Sequence, residues 1–183
     1  YEIKECDWSS DVCSSDLTDN FARAEDGAPI PEQGAVLVPA TRFLADAQEL
    51  IQRHAPVGVI WPNDKNVTEL APYLDKLAMI ALVFPVYKDG RAYSQARLLR
   101  ERYNYRGEMR ATGQVLRDQF VFLLRAGFDA FDVLKEADAQ AFEETAKRYS
   151  VFFQPTGDGR MTVARSRLKL HGHREPTPSH AKA

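Results

Sequence analysis

The stretch "AMIALVFPVYKDGRAYSQARLLRERYNYRGEMRATG", Ala78–Gly113, decides how this chain folds. Its first part, Ala78–Pro85, is an unbroken apolar run of strand length that stops at a proline, which cannot extend a central ladder. Ala92, Ala96, Leu99 and Tyr103 then recur at helical spacing. Gly107–Gly113 is a second short run. A strand, an amphipathic helix and another strand form a βαβ unit, and such units build mainly parallel sheets.

The same alternation continues on both sides. Ala35–Pro39 and Val57–Pro62 read as earlier strands, and Phe128–Leu134 and Ser150–Pro155 as later ones. Phe43, Ala47, Leu50 and Ile51 share one helical face, and Leu70, Leu74 and Leu77 another. Leu116, Phe120, Leu123 and Leu124 make a further stripe, stopped by Gly127 at a C′ position. Asp138 caps a last stripe of Phe142, Ala146 and Tyr149. The expectation is an α/β fold with a mainly parallel sheet of about five to six strands alternating with helices. It is either an open Rossmann-like sheet or a partial β/α barrel. Periodicity does not separate the two. Eight βα units do not fit this length, which favours the open sheet.

These elements define one α/β domain over 35–155. The segment 18–34 reads as a flexible leader, because Gly27, Pro29 and Pro31 lie among charges. The segment 156–183 reads as a polar, disordered tail, with six Lys or Arg against two acids and the Pro-rich "EPTPSH". The first 17 residues are different in kind. "DWSSDVCSSDL", Asp7–Leu17, back-translates without a mismatch to the constant part of a short-read sequencing adapter, and "YEI" fits the segment that flanks it. Residues 1–17 are therefore read as adapter-derived and set aside before fold reasoning.

Of the 183 residues, this sets aside five acids and Lys4, so the formal charge moves from −2 to +2. That balance argues against nucleic-acid or membrane-surface partners. No apolar run approaches the roughly 20 residues of a membrane span. Both cysteines, Cys6 and Cys13, fall in the excluded stretch. The rest of the chain then has no thiol nucleophile, disulfide framework or Cys-ligated iron–sulfur cluster. This is compatible with a cytoplasmic bacterial protein.

In parallel α/β folds, ligands bind beyond the carboxyl ends of the strands. That rule selects "WPND" (Trp61–Asp64), "KDGRAYSQ" (Lys88–Gln95) and the turns around "RATG" and "LRDQ". Together they bring Asn63, Asp64, Asp89, Arg91, Ser94, Arg110, Arg117, Asp118 and Gln119 to one edge. An Arg beside a Gly-containing loop that opens a helix suits a small oxyanion, since its fork bonds two oxygens at once. Each residue also has an ordinary reading: Asp89-Gly90 as a turn, Ser94 as an N-cap, Asp118 as decoration of a helix start. For the cluster, both readings stay open, and no catalytic residue is assigned. Glycine-rich dinucleotide and phosphate loops are missing. His171 and His173 lie in the tail, and no paired spacing supports a metal.

"WPND", "LDKLAMIALVFPVYKDGRAYSQARLLRERY", "GEMRATGQVLRDQ" and "LLRAGFDAF" together resemble the bacterial domain of unknown function nine-three-four, over about Val36 to Gln154. Members are often labelled oxidoreductases and are typically encoded beside assimilatory sulfite reductase. The resemblance implies a cytoplasmic accessory protein of sulfate assimilation, binding sulfite reductase or an oxyanion. The alternative it leaves is a flavin- or nicotinamide-dependent oxidoreductase using the Arg and Asp edge.

Overall fold

The computed structural model describes residues 2–4, 20–25, 27–132, 144–145, 148–156 and 161–172. Seven strands form one sheet: β1 (Glu2–Lys4), β2 (Phe21–Arg23), β3 (Ala35–Pro39), β4 (Val57–Trp61), β5 (Leu77–Phe84), β6 (Glu108–Gly113) and β7 (Ala130–Asp132). Their spatial order is β1-β7-β6-β5-β4-β3-β2. Strands β2 to β7 are all parallel and stand in chain order, while β1 pairs antiparallel with β7. A doubly wound Rossmann-like sheet requires a reversal of strand order. Here there is none, so the six parallel strands curl into a half-barrel.

Strand β5 is central and reads "LAMIALVF", apolar on both faces as a parallel strand covered on both sides must be. Ile80, Leu82 and Phe84 join the main core with Val36, Val38, Val59 and Trp61. The helices close over that face. Helix α1 (Ala40–Leu50) contributes Ala40, Phe43, Ala47 and Leu50. Helix α2 (Arg91–Arg97) contributes Ala92 and Ala96, and runs on through a π turn, Leu98–Arg102, that buries Leu99. Helix α3 (Phe120–Ala126) contributes Phe120, Leu123 and Leu124. Its C-cap Gly127 has φ 100°, a left-handed conformation that suits glycine.

The opposite face holds a smaller cluster of Leu37, Met79 and Ala81, with Phe21 and Ile60 against it. Arg110 lies on this inner face, fully buried. Its guanidinium donates to Glu108 Oε1 from NH2 (2.9 Å) and Nε (3.2 Å) and stands 3.9 Å from Asp132 Oδ1. The Phe21 ring of β2 lies 6.0 Å from it. Asp132 also accepts from Arg23 of β2 at 2.6 Å. These contacts join β2 to β6 and β7, four and five strands away, and record how far the sheet curls.

Another arginine ties the amino ends of β6 and β7. Arg100 donates to the carbonyls of Gly127 (2.9 Å), Tyr105 (2.6 Å) and Gly107 (3.0 Å), and pairs with Asp129. The Asp129 carboxylate in turn accepts from Met109 N at 2.9 Å.

Several elements differ from expectation. The Leu70–Leu77 stripe is not an α-helix: residues Val67–Tyr73 form a 3-10 helix with Pro72 inside it, and Leu77 begins β5. Proline removes a backbone donor and clashes one turn back, which excludes regular α structure there. The leader carries β2, which pairs with β3 as an edge strand. Glu2–Lys4, within the stretch read as adapter-derived, pairs with β7. Ser150–Pro155 makes no strand, only an isolated parallel bridge between Phe152 and Thr162. Beyond it the tail holds helix α4 (Val163–Gly172). Asp138, Phe142, Ala146 and His173 lie outside the described residues.

Candidate functional site

The carboxyl ends of β4, β5 and β6 lead into three turns, and the first two form one polar corner. Gln95, buried on α2, donates from Nε2 to Pro62 O (3.2 Å) and Lys65 O (2.9 Å), which pins the turn carrying Asn63 and Asp64. Asp89 closes the next turn. Its carboxylate accepts from Arg91 at the backbone N (3.2 Å), Nε (3.0 Å) and NH2 (2.6 Å). Helix α2 therefore opens at Gly90 under Asp89, four residues before the N-cap expected at Ser94, which sits exposed within the helix. Asn63 is buried, and its amide lies near enough to help lower Asp89, although Nδ2 makes no hydrogen bond of normal geometry. Asp64 is exposed and close enough to raise the Arg91 pKa further.

The Arg91 fork and its backbone N–H hold the Asp89 carboxyl well below the usual carboxylate range. A depressed folded pKa gives stability that is present above the unfolded value of ~3.9 and is lost as pH falls through the folded one. A carboxyl-detected NMR titration should find Asp89 still ionised at pH 3 in the wild type. In Arg91→Ala its midpoint should return to within about one unit of 3.9. An ordinary midpoint in the wild type would mean that the pair is not held in solution.

The third turn is tied to the second. Gln119 donates from Nε2 to Tyr87 O (2.9 Å) while its Oε1 accepts from Leu116 N (3.1 Å). Gln114 Oε1 accepts from Tyr87 N at 3.4 Å. These bonds hold Tyr87 and Leu116 beside each other. Val86, Tyr87 and Leu116 are nevertheless between 41% and 47% exposed, and the Lys88 ammonium lies 5.5 Å from the Tyr87 ring centroid. Arg117 and Asp118 are exposed at the start of α3. Tyr93 packs edge-on against Phe84 (centroids 5.3 Å apart), and burial, then the Asp118 charge, pushes its hydroxyl up to about 12. It stays a neutral phenol at physiological pH.

The structure thus brings Asn63, Asp64, Asp89 and Arg91 into one corner, and Gln119, Arg117 and Asp118 into the adjoining turn. It does not bring Arg110 to either. Arg110 is the third residue of β6, inside the sheet and paired with Glu108 and Asp132. Expected at the strand ends beside Arg91, Arg110 instead stands within the sheet in a buried ion pair. Arg91 remains at the edge, but its fork already holds a carboxylate. An oxyanion would have to displace Asp89 to reach it.

Sequence reasoning passed over Tyr87 and Phe122, and took Leu116 for a buried residue. The signal was present for Phe122, a large aromatic off the Phe120–Leu123–Leu124 stripe. Leu116 was placed on that stripe, but it precedes the helix and faces solvent. Among the described residues no group of three or more His, Cys, Asp and Glu side chains is placed to hold a metal ion. No described helix is long and apolar enough to cross a membrane.

No curated protein matches the chain. The family described as bacterial protein of unknown function (DUF934) matches residues 58–164, which take in β4 through β7, both polar turns, Arg100 and Arg110. With more than half of its length matched, including the half-barrel's central strands and the whole candidate edge, this chain belongs to that family.

Proposed function

We propose that the protein is an accessory factor of sulfite reduction in the cytoplasm, which docks on the assimilatory sulfite reductase through the carboxyl-end face of its half-barrel. The pathway comes from the family resemblance. The docking mode comes from one observation: Val86, Tyr87 and Leu116 stand out as exposed apolar side chains on turns held rigid by Gln114 and Gln119. Apolar residues fixed on a polar-rimmed face suit protein association, because little conformational freedom is lost when they are covered. The neighbouring charges Asp89, Arg91, Lys88 and Asp118 then form the rim.

Size-exclusion co-elution of the purified protein with the assimilatory sulfite reductase tests this reading. A complex is expected. Tyr87→Asp and Leu116→Asp should each weaken it by about tenfold or more, the scale of a central interface residue. Both sites are exposed, so thermal stability should hold. Separate elution of the wild-type proteins, or a complex indifferent to both substitutions, would remove the docking face.

A further inference from the structure

The turn that carries Leu116 and Gln119 borders an open dent of about 460 Å3, lined by Tyr93, Asp118, Gln119 and Phe122. Two of its walls are fixed. Gln119 commits both ends of its amide, to Tyr87 O and Leu116 N. Tyr93 packs edge-on against Phe84 and Phe128, with centroids 5.3 and 6.4 Å away. Three groups at the dent are left without a polar partner or a cover. The Asp118 carboxylate is exposed and makes no hydrogen bond or ion pair among the described residues, not even with Arg117 beside it in the chain. The Tyr93 hydroxyl makes no hydrogen bond there either. The Phe122 ring is 66% exposed. After burial, the Asp118 charge is the second cause that pushes the Tyr93 hydroxyl up to about 12, so carboxylate and phenol act on the same space.

Two aromatic rings and an unpaired carboxylate are the chemistry of a cation site. The ring faces attract a cation through their quadrupole, and the carboxylate supplies the counter-charge. A guanidinium suits the set better than an ammonium. It is planar and weakly hydrated, so it lies against a ring while its fork bonds a carboxylate. Two cations of α2 are already answered and do not compete for Asp118: Arg91 pairs with Asp89 at 2.6 Å and Arg97 with Glu101 at 3.1 Å.

We propose that this dent seats the guanidinium of an arginine presented by the docked partner, packed against the Phe122 and Tyr93 rings and paired with the Asp118 carboxylate. The sign is opposite to that of the oxyanion expected for this edge. The proposal rests on the docking reading of the adjoining face, but not on the partner being a sulfite reductase.

An NMR titration of the full chain with N-acetyl-arginine methylamide tests it, read at the aromatic ring signals. N-acetyl-citrulline methylamide, which has the same shape without the charge, is the control. The Phe122 and Tyr93 signals should shift saturably with the arginine derivative, and the citrulline one should bind at least about fivefold more weakly. Asp118→Asn and Phe122→Ala should each weaken the arginine derivative by about threefold or more, whereas Phe122→Tyr should keep it. Asp75→Asn removes an exposed carboxylate at the amino end of β5 and should change nothing, which separates the local site from net charge. Equal binding of both derivatives, no saturable shift, or an Asp118→Asn variant that binds like the wild type would overturn the proposal. Failure of arginine binding beside intact co-elution with the reductase would refute the dent alone. Arginine binding without co-elution would refute the reductase as partner and keep the dent.

Discussion

Arg110→Ala should destabilise the protein by about 3–5 kcal/mol, the loss typical when one member of a buried ion pair is removed. The guanidinium is fully buried between Glu108 and Asp132, with the Phe21 ring over it. Truncation removes the buried cation beside Glu108, leaves Asp132 with Arg23 alone, and opens a gap on the inner face beneath an edge strand. In a domain of this size the melting temperature should fall by about 6–20 °C. The double variant Arg110→Met with Glu108→Leu should recover much of this, because apolar replacement of a buried pair is often neutral. Thermal unfolding followed by circular dichroism distinguishes the two roles that this arginine has been given. If Arg110→Ala melts like the wild type while sulfite or sulfate binding disappears, Arg110 is a ligand residue and the ion-pair account fails.

Arg100→Ala should cost a further domain-scale loss, at least about 3 kcal/mol, for a different reason. One guanidinium serves the carbonyls of Gly127, Tyr105 and Gly107 and the Asp129 carboxylate. These acceptors lie on the π turn's exit, the entry to β6 and the entry to β7, so one side chain registers three segments. Arg100→Lys should rescue little, since an ammonium cannot present the planar fork that reaches all of them. The pH dependence adds a check. Burial raises the Asp129 pKa, and the Arg100 charge opposes that rise. Without Arg100 the folded pKa climbs further above the unfolded ~3.9. A raised folded pKa means stability is present below the unfolded value and lost as pH rises through the folded one. The deficit of Arg100→Ala against wild type should therefore be larger at pH 7 than at pH 4. A deficit that is small, or that grows on acidification, would show that Asp129 does not depend on this arginine.

Much of the chain was legible without a structure, and the pattern of success has a physical cause. Strands β3 to β6 came within a residue or two of their expected bounds, because β3, β4 and β5 are apolar on both faces and all four are punctuated by Pro or Gly. The buried faces of α1 and α2 followed from spacing alone, as did Phe120, Leu123 and Leu124 of α3 and Gly127 at its end, whereas Leu116, expected on that stripe, precedes the helix and is exposed. Where local signals conflicted, the period misled: Leu70, Leu74 and Leu77 recur like a helix, but Pro72 between them permits only a 3-10 turn. Strand β2 and helix α4 carry too few apolar residues to announce themselves. Strand β2 is a strand because β3 offers it an edge.

The sequence by itself determined the α/β class, the alternation of elements and which helix faces are buried, since these depend on side-chain periodicity within about ten residues. Only the tertiary structure decided that the strands lie in chain order, and hence that the sheet is a half-barrel. Strand order is set by pairing between distant segments, and no local pattern encodes it. The same holds for the site. Arg91 and Arg110 look equivalent in sequence, each near a glycine at a strand end. Arg91 meets Asp89 two residues away and stays at the surface, whereas Arg110 is turned inward by the pleat of β6 and finds Asp132 only because β7 pairs beside it.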